Sequence, residues 1–168
     1  MDSDMRVEEI ETYLHTDKFR SPLKFGNVVM DSLTSMIARV AVVNRAGTRA
    51  QGWGAMPLAA KWAYPDPRVD EEEKLELMVE IGDVCCRIIE ERWRDRYGHP
   101  LDMMLTSKET ILSRSRKLSE DTGLGEVPDL LILVSTSPID AALHDAFGRV
   151  NHISSYDAYG PRYMERDL

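Results

Sequence analysis

Cysteine is nearly absent from this chain: the two present, Cys85 and Cys86, are neighbours. Adjacent cysteines bridge only with strain, and no framework of spaced pairs exists, so a disulfide-stapled scaffold is excluded. Reduced thiols are the expectation, which favours a cytoplasmic protein. Long apolar runs are lacking too. The longest, Leu130 to Val134, falls far short of the roughly 18 residues a membrane helix needs, so no membrane partner is expected. Met1 to Glu9 is acidic and polar and does not read as a signal peptide. Positive charge is scarce as well. With 21 Lys and Arg against 29 Asp and Glu, the net charge is −8 and the pI about 5.0. Nucleic acid is not an expected partner, because phosphate binding needs a basic footprint.

What remains is an ordinary globular composition, 43% hydrophobic and 30% charged over 168 residues, enough for one domain with a sizeable core. Three strand-like segments come first. Met5 to Leu14 is weak, because Glu8 and Glu9 interrupt the alternation. Ser35 to Asn44 is strong, since Ile37, Val40, Val42 and Val43 suit a half-buried pleated surface. Asn44-Arg45-Ala46-Gly47 is a turn, and Thr48 to Ala55 the return strand of a hairpin. Gly52 and Gly54 inside that strand imply a bulge or a close backbone approach. Phe19 to Asp31 and Met56 to Arg68 read as long connections.

Helices follow. Asp70 with Glu73 forms a capping box, and Leu77, Met78, Ile81, Val84, Cys85, Ile88, Ile89 and Trp93 recur at helical spacing. Arg92, Arg94 and Arg96 complement the helix end, with Gly98 and Pro100 as a stop. Thr106 with Glu109 reads as a second start, for a helix ending near Gly123. Leu130 to Val134 is ambiguous between helix and strand, and Ser137-Pro138 opens a third helix closed by Gly148. Strands first and helices after is the α+β pattern: a three-stranded antiparallel meander followed by a helical bundle.

Ser137-Pro138-Ile139-Asp140-Ala141-Ala142-Leu143-His144-Asp145-Ala146-Phe147-Gly148-Arg149 resembles the last helix of the amino-terminal capping domain in the enolase superfamily. The nearest branch is the mandelate racemase and muconate lactonizing enzyme group, where the helix reads roughly Ala-Ile-Asp-x-Ala-Leu-Trp-Asp-x-x-Gly-Lys. Pro138, His144 and Arg149 depart from that pattern. Ser21-Pro22-Leu23-Lys24-Phe25-Gly26 resembles the family's Pro-Phe-x-Phe-Gly segment. Val40 to Gly54 resembles its hairpin, which ends Gly-x-Gly-Glu; Ala55 stands where that Glu would be.

The resemblance implies a capping domain over residues 1–150 and, over residues 151–168, a linker toward a β/α barrel. In the family the barrel carries the chemistry: a Lys or His removes a proton next to a carboxylate, and Mg²⁺ held by three acidic residues stabilises the enediolate. The enzymes so implied are acid-sugar dehydratases, racemases and cycloisomerases. The family's Lys-x-Lys pair occurs nowhere among Lys18, Lys24, Lys61, Lys74, Lys108 and Lys117. The expectation is therefore a chain that ends before its barrel, carries no catalytic residue and no metal ligand, and is inactive alone.

The family's two long cap loops close over the substrate. Here they correspond to Phe19–Asp31 and Met56–Asp66, which makes Lys24, Phe25, Met56 and Trp62 the candidate substrate-binding residues, for a small carboxylic or sugar acid. Lys24 suits an acid or hydroxyl group, and the other three suit an apolar lid. The bland alternative is that the aromatics pack and Lys24 is solvated. The expected partner is the chain's own barrel, and self-association through the barrel-facing surface is a further expectation. Two other classes stay open: a stand-alone interaction or regulatory module, and a small enzyme built on Asp140, His144 and Asp145.

Overall fold

The computed structural model describes residues 1–25 and 28–164. Strands β1 (Met5–Phe25), β2 (Val28–Asn44) and β3 (Arg49–Pro57) form one antiparallel sheet in that order. Helices α1 (Ala60–Ala63), α2 (Glu71–Trp93), α3 (Pro100–Asp121) and α4 (Asp129–Val150) follow, with a 3-10 turn at Ser155–Ala158. The α+β architecture expected from the residues is the one observed. Met36, Ala38, Val40 and Val42 of β2 alternate onto one face and are fully buried beneath the helices.

The connection expected at Phe19–Asp31 is instead strand on both sides. β1 and β2 run on past Ser35, where β3 ends, pairing Lys18 with Ser32 and Leu23 with Met30 across an irregularity. The result is a two-stranded arm. Residues 13–18 on it are all exposed, and with neither face buried, no apolar alternation marks the strands in sequence.

α2 starts as read. The Glu72 N–H donates to Asp70 Oδ1 at 2.9 Å, and the Asp70 N–H donates to Glu73 Oε2 at 3.4 Å. Its arginines, though, lash neighbouring elements together rather than serving its own end. Arg92 donates to the Thr106 carbonyl at 2.6 Å, and Arg94 to the Glu8 carbonyl at 3.2 Å.

α3 begins six residues before the expected Thr106 start. His99 is its cap, Nδ1 accepting from the Leu101 N–H at 3.2 Å, and Pro100 occupies the first turn, where no N–H is needed. Thr106 lies inside the helix with its hydroxyl donating to the Asp102 carbonyl at 2.6 Å.

α4 is continuous where Ser137-Pro138 read as a helix start. Ser135 and Ser137 donate back to the Leu131 and Leu133 carbonyls, each at 2.8 Å. These bonds serve carbonyls near the break that Pro138 introduces, and burial of the helix on both sides of the proline holds it together. α4 is also a described helix long and apolar enough to cross a membrane by length and composition, but 61% of its apolar window is buried inside the domain.

The seat for α4 is β3. A Cβ placed on Gly52 would lie 2.6 Å from the Ala146 Cα, and one on Gly54 would lie 2.6 Å from the Ala142 nitrogen. The close approach read from these glycines is therefore a helix resting on bare strand backbone, with Ala142 and Ala146 as the facing small residues. The Asp145 carboxylate adds a bond from the Trp53 N–H at 2.9 Å and holds Arg149 at 2.7 Å.

Gly52→Ala is expected to destabilise the domain by about 3 kcal/mol or more, because two backbones must separate. Gly160→Ala, whose new Cβ meets nothing within 4 Å, is the neutral control; paired chemical denaturation checks both. Cys85 and Cys86 are free thiols. Burial pushes Cys86 up to about 12, and Cys85 is raised as well. A thiol-specific reagent at pH 8 is thus expected to react at the rate of unfolding rather than the rate of a free thiol.

Candidate functional site

The arm and the connection after β3 converge at one end of the sheet. The Leu58 N–H donates to the Thr34 carbonyl at 2.8 Å, which ties the root of the arm to the segment leading into α1. Between them lies a cavity of about 230 Å³, lined by Val29, Asp31 and Thr34 from the arm side and by Leu58, Lys61 and Glu71 from the other.

Of the four residues read as substrate contacts, Lys24, Met56 and Trp62 lie around this region and are not among the described residues that line the cavity. Lys24 is exposed near the end of β1, opposite Val29. Phe25 pairs with Val28, and its side chain falls outside the described residues. Met56 is half-buried and pairs with Met36. Trp62 projects from α1 with 52% of its surface exposed. Lys61, beside it, lines the cavity together with arm residues distant in sequence, a juxtaposition that local pattern does not reveal.

A second unread residue governs the connection itself. Lys74 is 1% exposed on the apolar face of α2. Its ammonium donates to the Asp66 carbonyl at 2.7 Å, pairs with Glu71 at 2.9 Å and lies 5.4 Å from the centre of the Tyr64 ring. A buried ammonium must be paired and hydrogen-bonded, so the segment from Tyr64 to Asp66 is fixed by the charge it neutralises. The signal was present: Lys74 stands three residues before Leu77, on the same stripe as Met78 and Ile81. Just outside, the Arg68 side chain and backbone N–H hold the Asp66 carboxyl down to about 2.

Asp140, His144 and Asp145 do not assemble. His144 Nε2 lies 3.5 Å from Asp140, and Nδ1 shares a 2.9 Å hydrogen bond with the Tyr159 hydroxyl. Asp145 is committed to Trp53 and Arg149. His144 thus anchors the segment after α4, in which Ala158 is fully buried and the Tyr163 ring meets Phe147 at 6.3 Å. Among the described residues, no three His, Cys, Asp or Glu side chains come together as a metal-binding group.

A three-stranded meander with a helical layer on one face, its last helix seated on the glycines of the third strand, is also found in part of several solved structures, and the likeness is one of fold. The dipeptide epimerase from Enterococcus faecalis, solved with Mg and the dipeptide L-Leu-L-Tyr, superposes with a TM-score of 0.52 at 15% identity, over 93% of this chain and 35% of its own. A mandelate racemase/muconate lactonizing enzyme-like protein from Rubrobacter xylanophilus gives 0.50 at 18% identity, over 92% of this chain and 33% of its own. A further mandelate racemase/muconate lactonizing enzyme gives 0.50 at 14%, over 94% and 35%. This chain therefore spans about a third of the length of each neighbour. No family model and no curated protein sequence matches it.

Replacing Lys74 with Met is expected to cost about 1–3 kcal/mol, because the Asp66 carbonyl loses its buried donor. It is also expected to speed proteolytic nicking between residues 57 and 70, read by mass spectrometry of the fragments. The Asp66 carboxyl is expected to titrate at about 2, against an ordinary value of 3.8, in an NMR pH series, and Arg68→Ala to return it upward. Its folded-state value is depressed, so its contribution to stability is full above pH 3.8 and is lost as pH falls toward 2.

Proposed function

We propose that this chain is the substrate-specificity cap of a Mg²⁺-dependent enolase-superfamily enzyme of the mandelate racemase and muconate lactonizing type. It acts by docking on a β/α barrel and closing over its mouth. The observation that carries the reading is the outer face of α3 and α4. Leu105 and Leu133 are 57% and 44% exposed there, lining a groove of about 270 Å³ with Leu101, Met104 and Ile111. Apolar surface gathered in this way marks an interaction site, and a barrel packed against these helices would cover it.

On this reading the arm and the Met56–Asp66 connection are the two lids. Lys24 and Phe25 reach the distal part of a small carboxylic or sugar acid from one side, and Met56 and Trp62 from the other. Arm and connection are already tied at their roots, so they would close as one unit. Lys74 would set the position of the second lid without touching substrate. The proton-abstracting base and the metal-holding acids belong to the barrel, and Mg²⁺ would supply stabilisation of the enediolate there. The chain alone would be inactive.

The test is exchange of the proton next to the carboxylate. The native protein, captured from its source with an antibody to this chain and placed in D₂O with Mg²⁺, is expected to incorporate deuterium into one or more small carboxylic acids. Lys24→Ala and Trp62→Ala are expected to raise KM by about tenfold each, the cost of one lost contact, with kcat changed less. Exchange catalysed by the isolated 168-residue chain would contradict the reading, as would a native protein that needs no Mg²⁺.

A further inference from the structure

We infer that His99 is a pH-operated latch: as a neutral ring it caps α3 and seats the segment after α4, and on taking up a proton in mild acid it lets both go. The cap sets the condition. Nδ1 of His99 accepts from the Leu101 N–H at 3.2 Å, so that nitrogen carries no proton and the one ring proton sits on Nε2. The usual caps, Ser, Thr, Asp and Asn, keep an acceptor through neutral and mildly acid pH. Histidine does not. The imidazolium is a donor at both nitrogens, so neither edge of a protonated ring can accept from Leu101, however it turns.

The ring is also walled in by the segment it would release. His99 is 1% exposed. Phe147 meets it edge-on with 4.7 Å between ring centres, and His144 and Tyr159 do so at 6.1 Å each. Nε2 is buried with no hydrogen-bond partner among the described residues; the Ala158 carbonyl is placed to favour a proton on the ring, but its geometry falls short of a bond at Nε2. The groups closing over His99 are those that seat the later segment. Ala158 is fully buried, the Tyr159 hydroxyl bonds to His144, and the Tyr163 ring packs on Phe147. One ring therefore joins the first turn of α3 to the chain from Ser155 to Met164.

The surrounding charges fix the direction of the response. Burial opposes a proton on His99 most strongly, and the His144 ring opposes it next. Asp102 on α3 and Asp4 near the amino end favour it, but Asp4 is already paired with the Met1 amine and Arg45. On α4, Asp140 stands 3.5 Å from His144 Nε2 and serves that ring, as the Tyr159 hydroxyl does. The closed ring is thus held below its ordinary value of 6.5, while a ring released to water returns to it. Above pH 6.5 the closed form is at full strength. Below it the open form binds a proton that the closed form refuses, and the open population grows about tenfold per pH unit until the closed ring titrates too. If the segment after α4 leads toward a barrel, as in the proposed function, acid would slacken the cap on it; the latch itself does not rest on that reading and is tested on this chain alone.

NMR of the 168-residue chain from about pH 8 to about pH 5 is the test. Ring nitrogen shifts at the upper end are expected to show His99 neutral, with its proton on Nε2. On acidification the Leu101 amide and the Ala158 methyl signals are expected to leave their folded positions together, with one midpoint below 6.5. His99→Asn, a cap that does not titrate, is expected to hold both signals in place across the range. His144→Gln keeps a hydrogen-bonding group for Tyr159 and removes an opposing charge, so it is expected to raise the midpoint; it serves alone should His99→Asn fold poorly. Signals that stay fixed in the wild-type chain would overturn the inference, as would different midpoints for Leu101 and Ala158. So would a proton on Nδ1 at the upper end, a transition that survives His99→Asn, or a midpoint unmoved by His144→Gln.

Discussion

The structure depends on one contact without side chains on the strand side: α4 lying on the backbone of β3 at Gly52 and Gly54. Everything buried in the domain is organised by that approach. It places Ile139, Leu143 and Phe147 in the same buried core as the inner row of β2, and it leaves no room for a Cβ on either glycine. Because the helix is so close, its own side chains can finish the edge of the sheet, and Asp145 does so through the Trp53 N–H. The same closeness explains how a proline is tolerated at position 138. A helix fixed along its length by packing keeps its path even where one of its hydrogen bonds is missing.

From that rigid body two segments extend, and they are held differently. The connection after β3 is fixed from beneath by a buried ammonium, Lys74, with the Asp66 carbonyl, Glu71 and the Tyr64 ring around it. The arm is a two-stranded ribbon in which residues 13–18 are exposed, while Met30 and Ser32 to Thr34 are half-buried beside the cavity; two strands alone are of marginal stability. The two segments, one fixed by a buried charge and one not, stand beside a common cavity.

Much of the fold was legible in the residues, for reasons that can be named. The Asp70–Glu73 box and the apolar stripe of α2 are local signals, and the structure reproduces both. The glycine pair in β3 announced a close approach, and the helix it receives carries the sequence that resembled the superfamily. What escaped was set by tertiary context. α3 starts at a histidine cap, a residue less usual there than the Thr106 that competed for the role. Residues 13–18 of the arm have no apolar period because they are exposed on both faces. Ser137-Pro138 imitates a helix start so well that only packing shows it to be internal. Of the candidate site, the residues read from the sequence lie around one end of the sheet. Lys24 and Trp62 are exposed and Met56 is half-buried, while the places of Lys61 and Lys74 depend on contacts between segments distant in sequence.

The central claim is that this fold works as a cap on a barrel that carries the chemistry. The most direct measurement is the composition of the native species captured by an antibody to this chain, read by intact mass under native and denaturing conditions. The account predicts that the captured species includes a β/α barrel of roughly 250 residues, joined to this chain or tightly bound to it. A native species made of 19.1 kDa chains alone, with no barrel in either measurement, would contradict it.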